Sequence, residues 1–304
     1  MKKRILSLIL ALSMVLSVLP LGAFAEGSTN SKELVMGATG YPVCSNGTQG
    51  NGWEYMNGTL YLDEGTYDFS STHPQDTTKG DPTTKPVQCP IKIKSSSATI
   101  TGGIFDKEVT NSGTIENGAF KGNVTNNGNG TISGGTFQSE GVVKNFGTIS
   151  NGTFEGSVTN NNTISGGFFE GTVTTSGTIE KGTFNGDVTN DTTGKISGGT
   201  FAADKKVENK GTITEYGTFG GTVINNDGGI ISGGTFQSTS SVENKGTING
   251  NGTFNGTVTN DTGGTISGGT FASDKTVENK GTIENGTFDG TVTNNNTISG
   301  GFFE

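Results

Sequence analysis

The sequence has few of the residues that most enzyme sites and nucleic-acid interfaces require. Its 304 residues contain 1 His, 1 Trp, 2 Cys and 6 Pro, and the only arginine is Arg4. A single histidine excludes a zinc site built on histidines and a His-based catalytic triad. The formal net charge of -9, together with the lack of arginine, makes nucleic acid or an anionic membrane a poor partner.

Apolar residues are also scarce, at 29% of the chain. Scattered along the chain, so few apolar residues would indicate disorder. They are instead strictly periodic, which predicts a folded chain with a thin hydrophobic core.

From Ala98 onward the chain repeats one short unit, G-T-I-x-x-G-T-F-x-G-x-V-T-N. Aligning the copies on the isoleucine gives thirteen copies, with a phenylalanine five or six residues after each isoleucine. A valine follows in the twelve complete copies, and an asparagine stands two residues after it, with Thr175 as the only departure. The aligned isoleucines are Ile100, Ile115, Ile132, Ile149, Ile164, Ile179, Ile196, Ile213, Ile231, Ile248, Ile266, Ile283 and Ile298.

The spacing between successive isoleucines is 15, 17 or 18 residues, which is too short for a pair of helices. Polar residues flank each apolar position, as in Thr178-Ile179-Glu180, so the pattern predicts three short strands with apolar side chains inside. Stacked coils of this kind form a parallel β-solenoid of about 12–13 coils, roughly 58 Å long at about 4.8 Å per coil. We expect the corner asparagines to bond to the turn backbone, to stack as a ladder and to tolerate left-handed dihedrals.

The first 25 residues have the features of a secretion signal. Lys2, Lys3 and Arg4 precede the apolar stretch Ile5 to Val18, and Ala23-Phe24-Ala25 is a small-residue cleavage site. A transmembrane helix is disfavoured because Pro20 and Gly22 interrupt the run. We therefore expect residues 1–25 to be removed and the chain to be exported, with its net charge changing from -9 to -12.

Residues 26–97 do not follow the repeat, and we expect them to cap the open end of the solenoid. Alternating residues on either side of Asn57-Gly58 predict a hairpin from Trp53 to Leu62. Cys44 and Cys89 form either a disulfide or two free thiols; a pair of cysteines in an exported chain favours the disulfide. The repeats of residues 98–304 stop mid-coil at Glu304, so we expect the natural chain to continue or this sequence to be a fragment.

The coil pattern resembles the right-handed parallel β-helix proteins of the pectate-lyase-like superfamily. Within it, the pattern is similar to the repetitive, Gly/Thr/Asn-rich secreted surface proteins of bacteria. The segment from Gly52 to Leu62 also resembles the N-terminal hairpin of such proteins, some of which bind carbohydrate. The resemblance implies a right-handed all-β parallel β-helix with an N-terminal β cap, secreted or displayed on a bacterial cell surface.

The resemblance also implies what an enzyme of this superfamily would need. A polysaccharide lyase would use clustered aspartates on calcium and a basic residue, usually arginine, and the exported chain has no arginine. A glycosidase needs two facing carboxylates, for which Glu155 and Glu170 are the candidates, although solvated surface charges are the favoured interpretation. We therefore expect no catalytic activity and no required cofactor.

Calcium is the one metal for which the repeats offer ligands. Asp191, Asp227 and Asp261 stand in equivalent corner bulges among asparagine and glycine, with oxygen ligands only. They lie on alternate coils, so ordinary turn aspartates are the favoured interpretation.

Three functions fit the sequence. The first is a structural and adhesive rod whose partner is a host or neighbouring-cell surface protein or an extracellular polysaccharide. The second is a carbohydrate-binding β-helix, with Trp53, Tyr55 and Tyr61 as the candidate stacking residues. The third is ice binding, because threonine precedes the core isoleucine in eleven of thirteen coils, although threonine is also a good exposed strand residue.

Overall fold

A computed structural model describes residues 48–49, 52–69, 86–214 and 216–304. The predicted signal sequence and Cys44 lie outside the described residues. Within the described ranges the secondary structure is entirely β, as the repeat predicts, and no helix occurs.

The N-terminal part of the described chain contains seven strands. They are β1 (Thr48–Gln49), β2 (Trp53–Met56), β3 (Thr59–Leu62), β4 (Gly65–Asp68), β5 (Ile91–Ile93), β6 (Ala98–Gly102) and β7 (Ile104–Phe105). The predicted hairpin is confirmed, because β2 and β3 pair antiparallel across Asn57 and Gly58, whose φ angles of 52° and 76° fit a tight hairpin turn.

The remaining strands fall into three columns, each named for its buried residue. The Ile column continues β6 through Thr114–Ile115, Thr131–Ile132, Thr148–Ile149, Thr163–Ile164, Thr178–Ile179, Lys195–Ile196, Thr212–Ile213, Ile230–Ile231, Thr247–Ile248 and Thr297–Ile298. The Phe column continues β7 through Ala119–Phe120, Thr136–Phe137, Thr153–Phe154, Phe168–Phe169, Thr183–Phe184, Thr200–Phe201, Thr218–Phe219, Thr235–Phe236, Thr253–Phe254 and Phe302–Phe303. Two longer strands, Thr265–Phe271 and Thr282–Phe288, belong to both columns.

The Val column continues β5 along the third side of each coil. Its strands are Val109–Asn111, Val124–Asn126, Val143–Asn145, Val158–Asn160, Val173–Thr175, Val188–Asn190, Lys206–Asn209, Thr222–Asn225, Ser241–Asn244, Thr257–Asn260, Thr276–Asn279 and Thr291–Asn294. This column forms a 16-stranded sheet with β1 and the N-terminal hairpin, and the Ile and Phe columns form a 25-stranded sheet together with β4.

Successive coils pair in parallel with like residues opposite like. Ile132 faces Ile149, Phe120 faces Phe137, and Val124 faces Val143. These side chains are almost completely buried down to Phe288. Twelve stacked ring pairs with centroids 4.6–4.9 Å apart connect Phe105 to Phe303, so the Phe column is about 57 Å long. The chain is a right-handed parallel β-solenoid of about twelve coils with three short strands per coil.

A ladder of buried asparagine side chains runs parallel to the Phe column at the end of the Val strands. Where the next coil also carries an asparagine, the amide Nδ2 donates to the Oδ1 of that residue, as from Asn111 to Asn126 at 2.7 Å, and also to backbone carbonyls of the turn. The predicted ladder and its bonds to the turn backbone are therefore confirmed. The asparagine ladder comprises the buried Asn111, Asn126, Asn145, Asn160, Asn190, Asn209, Asn225, Asn244, Asn260 and Asn279 and, at its C-terminal end, the exposed Asn294, with Thr175 in the fifth place.

The tolerance of asparagine for left-handed dihedrals does not explain its place in the ladder. In the described part of the chain, Asn57 is the only residue other than glycine with a positive φ. The ladder asparagines end extended strands with their amides turned inward, and glycine takes the left-handed position between the Ile and Phe columns, as at Gly182 with φ 129°. A residue without Cβ adopts that conformation without strain.

Parallel pairing begins before the recognisable repeat. β3 pairs in parallel with β5, which pairs with the first Val strand, while β4 pairs with β6. The edge of the Phe69 ring packs against Phe105 with centroids 5.5 Å apart, at the N-terminal end of the ring stack. Residues 59–69 and 86–97 thus carry coil geometry without the coil sequence.

Candidate functional site

The aromatic residues of the N-terminal hairpin were the candidates for binding sugar. Trp53 is only 6% exposed, so its indole cannot act as a surface stacking platform, and that expectation is wrong. The register explains the burial: Trp53 pairs with Leu62 and Tyr55 with Leu60, which places these four side chains on the inner face of the hairpin. Trp53 and Tyr55 therefore pack the end of the solenoid.

Tyr61 lies on the outer face of the same hairpin. Its ring is half-buried and carries two ammonium groups, with Lys92 Nζ 6.0 Å and Lys94 Nζ 5.4 Å from the centroid. Both distances are within the range of a cation–π contact. The hairpin thus leaves Tyr61 as its only candidate stacking residue, and lysines already cover that ring.

Only one of the two cysteines lies within the described residues. Cys89 is 2% exposed, and it lies just before β5 in the core that closes the N-terminal end. Cys44 lies outside the described residues, so the disulfide stays a prediction.

The three candidate calcium ligands are not brought together. Backbone hydrogen bonds from one coil to the next place Asp191, Asn226 and Asp261 at equivalent positions of one corner on alternate coils, with Asp227 next to Asn226, while the intervening coils carry a lysine there. The lysines that separate them are Lys210 and Lys245. No group of three metal-binding side chains of His, Cys, Asp or Glu occurs in the described ranges. A lysine on each intervening coil disfavours a dication at this corner.

Outward threonines form columns whose register is regular. Thr131, Thr148 and Thr163 face one another directly on successive Ile strands. Lys195 and Ile230 interrupt this column, and Phe168 interrupts the corresponding threonines of the Phe column. The geometry expected for ice binding is thus present only in segments, and ice binding itself stays a prediction.

The asparagine ladder has one break. Thr175 Oγ1 accepts from Asn160 Nδ2 at 2.9 Å, but nothing donates to Asn190 Oδ1 on the following coil. Asn190 is completely buried, and its Oδ1 is one of few buried side-chain atoms in the described chain without a hydrogen-bond partner. The break marks the coil junction with the weakest side-chain bonding.

A shallow cleft crosses three corners between the Ile and Phe columns. It has a volume of about 470 Å³ and is lined by Glu180, Lys181, Ser197, Gly198, Gly199 and Tyr216. Tyr216 is 78% exposed, the most exposed large hydrophobic side chain described. Sequence reasoning missed this residue, although the extra residue between Ile213 and Phe219 indicated that the corner differs from its neighbours.

Charges on the faces of the rod pair locally. Lys206 Nζ donates a hydrogen bond to Glu208 Oε1 at 2.6 Å, and this bond to the carboxylate raises the pKa of Lys206. Four coils further along the chain, Lys280 Nζ contacts Glu278 Oε1 at 3.1 Å. Such exposed pairs stabilise the fold only slightly, because both partners are solvated.

Tyr67 is a half-buried tyrosine of β4 with a raised pKa. Its hydroxyl donates to the carbonyl oxygens of Gly52 and Glu64, at 2.7 Å each. Burial, with the nearby carboxylates of Asp63 and Glu64, raises its pKa from 10.0 to about 12. The Tyr67 hydroxyl therefore stays neutral while it joins the N-terminal hairpin to the first coil.

The fold and the register define the class of this protein as a parallel β-solenoid built from tandem coils. Comparison with family models, with curated proteins and with solved structures finds no match to this chain. No family match supports the resemblance to the pectate-lyase-like superfamily, which stays a prediction from the coil pattern. In the described ranges there is also no helix long and apolar enough to cross a membrane.

Proposed function

We propose that this protein is a secreted or cell-surface structural rod without catalytic activity, which holds adhesive contacts away from the surface that bears it. The observation that carries the proposal is the unbroken register of about twelve coils, in which every coil stacks Ile on Ile, Phe on Phe and Val on Val. Backbone hydrogen bonds along the axis, stacked rings and buried amides all resist bending. This repetition suits a spacer, since length grows by one step of about 4.8 Å for each added coil.

The predicted signal sequence supports the proposed location. Bacterial origin and membership of the pectate-lyase-like superfamily belong to the same proposal, and both rest on the resemblance of the coil pattern. The polar, acidic exterior supports contacts made through side chains along one face, with a surface protein or a polysaccharide as the partner.

Location and adhesion are tested together on the organism that makes the protein. Antibodies raised against residues 98–304 should label intact cells or detect the protein in the medium, without prior lysis. Beads coated with the purified chain should adhere to neighbouring cells more than beads coated with the heat-unfolded chain. Labelling only after lysis would refute the location, and equal adhesion of both kinds of beads would refute the adhesive role.

A further inference from the structure

The Tyr216 cleft, defined by the six residues given above, lies on the side of the rod and has features that the other corners lack. Its upper wall is the exposed ring of Tyr216, and its lower wall is the charged pair Glu180 and Lys181 two coils away. The coil between them contributes only Ser197, Gly198 and Gly199. The cleft therefore has a floor almost without side chains, which lies between two walls formed by side chains.

The backbone explains why the floor is bare. A Cβ at Gly198 would overlap the carbonyl oxygen of Glu180, and Gly199 has a φ of 103°. Both positions must be glycine for the coils to stack, so the floor remains flat. The hydroxyl of Ser197 donates to the carbonyl oxygen of Ile179 at 3.2 Å, which fixes the side chain and leaves oxygen lone pairs to accept from a ligand.

The position of Tyr216 follows from an extra residue. In only two coils does the phenylalanine come six residues rather than five after the core isoleucine, from Ile213 to Phe219 and from Ile248 to Phe254. The second corner carries Asn251 where the first carries Tyr216. The chain therefore supplies its own reference corner, with the same spacing and no ring.

We infer that the Tyr216 cleft binds a sugar ring of a neutral polysaccharide. A pyranose has apolar C–H faces and a rim of hydroxyl groups, and an exposed tyrosine offers an apolar face with a polar tip. Glu180 accepts from the sugar hydroxyls, Lys181 donates to them, and Ser197 accepts at the floor. Opposite charges on adjacent residues cancel, which favours a neutral sugar over an acidic one. The cleft volume is in the range of small-ligand sites, about 300–1,000 Å³.

This inference goes beyond the proposed structural role, and the two are tested separately. Binding is measured on the purified full chain by isothermal titration calorimetry with three probes: the hexasaccharides of β-1,4-linked glucose, xylose and N-acetylglucosamine. We expect saturable binding of at least one probe. Tyr216→Asn, which copies the Asn251 corner, should weaken that binding about tenfold or more, equivalent to about 1.4 kcal/mol, while Tyr216→Phe should retain most of it. Glu180→Gln should also weaken binding.

The control variant is Phe168→Thr, which removes another exposed ring, 36% accessible, and restores the threonine common in the Phe column. It should leave the affinity unchanged. Because Tyr216 is exposed, Tyr216→Asn should unfold at the same temperature as the unsubstituted chain. No saturable binding of any of the three probes, unchanged affinity in Tyr216→Asn, or an equal loss in Phe168→Thr would overturn the inference. Loss of surface labelling in cells would refute the proposed location and would not affect the inference that the Tyr216 cleft binds sugar.

Discussion

Thr175 interrupts the asparagine ladder, and replacing it with asparagine should stabilise the rod. Wherever two asparagines are neighbours on the ladder, the Nδ2 of one lies 2.7–2.8 Å from the Oδ1 of the next. Thr175→Asn would supply that missing donor to Asn190 Oδ1, which is buried without a partner. The neighbouring coils accommodate asparagine at the equivalent positions, so we expect no steric conflict.

The size of the effect follows from the two states of Asn190. Leaving a buried acceptor unsatisfied costs about 1–3 kcal/mol. Threonine is the better strand residue, which offsets up to about 1 kcal/mol of the gain. We therefore expect a net stabilisation of about 1 kcal/mol.

Unfolding in guanidinium chloride measures this gain as a higher midpoint at an unchanged slope. Solenoids can open coil by coil, so amide hydrogen exchange across residues 173–194 provides a local measurement of the same junction. Protection of these amides should increase in Thr175→Asn, while amides several coils away should keep their exchange rates.

A matched variant reverses the change. Asn209→Thr would create the same break two coils further on, by removing the donor to Asn225 Oδ1, which now lies 2.7 Å away. It should lower the midpoint by an amount similar to the gain in Thr175→Asn. If both variants move stability in the same direction, or if neither moves it, the ladder does not stabilise the stack and the reasoning is wrong.

Three further predictions concern the core, the backbone and the N-terminal hairpin. Phe219→Ala should destabilise the protein by about 3–5 kcal/mol, measured by chemical denaturation, because it opens a cavity in a fully buried ring stack; a loss below about 1 kcal/mol would contradict tight packing there. Gly198→Ala should lower the melting temperature, since its Cβ would overlap the carbonyl oxygen of Glu180, whereas Gly128→Ala, with nothing nearer than 3.8 Å, should have little effect. Tyr67 has a raised pKa, so its contribution is complete below pH 10 and is lost as the pH rises through about 12. After allowance for solvent screening this loss is on the order of 1 kcal/mol, and Tyr67→Phe should remove that part of the pH dependence.

The sequence predicts the three columns well because each coil states the same pattern. Once Ile, Phe and Val recur at corresponding positions, stacking like on like is the only arrangement that buries all three in a coil so short. The corners follow too, since extra residues enter only where the strands end. This explains why strand order and register agree with the repeat from Val109 to Phe303.

The departures occur where a side chain can serve either of two roles. Trp53 alternates with polar residues, but the sequence does not state which face of the hairpin turns toward β5, and the structure buries it. Asparagine is common in left-handed turns, but the side-chain amides of the ladder asparagines hydrogen-bond to one another inside the coil. Leu60 and Leu62 belong to the stacked sheet without any repeat signature, so parallel pairing upstream of Ala98 could not be read from the pattern.

Because every coil presents the same upper and lower surfaces to its neighbours, coils can be removed from the chain without changing the contacts between those that remain. From Ile196 to Ile283 the coils recur as a 35-residue double unit. Deleting residues 213–247 would bring Ile248 into the place of Ile213, with every column still matched. The shortened protein should fold with two fewer coils and a length reduced by about 10 Å. Slippage or unequal recombination within the gene would thus change the reach of the rod while leaving both of its ends the same.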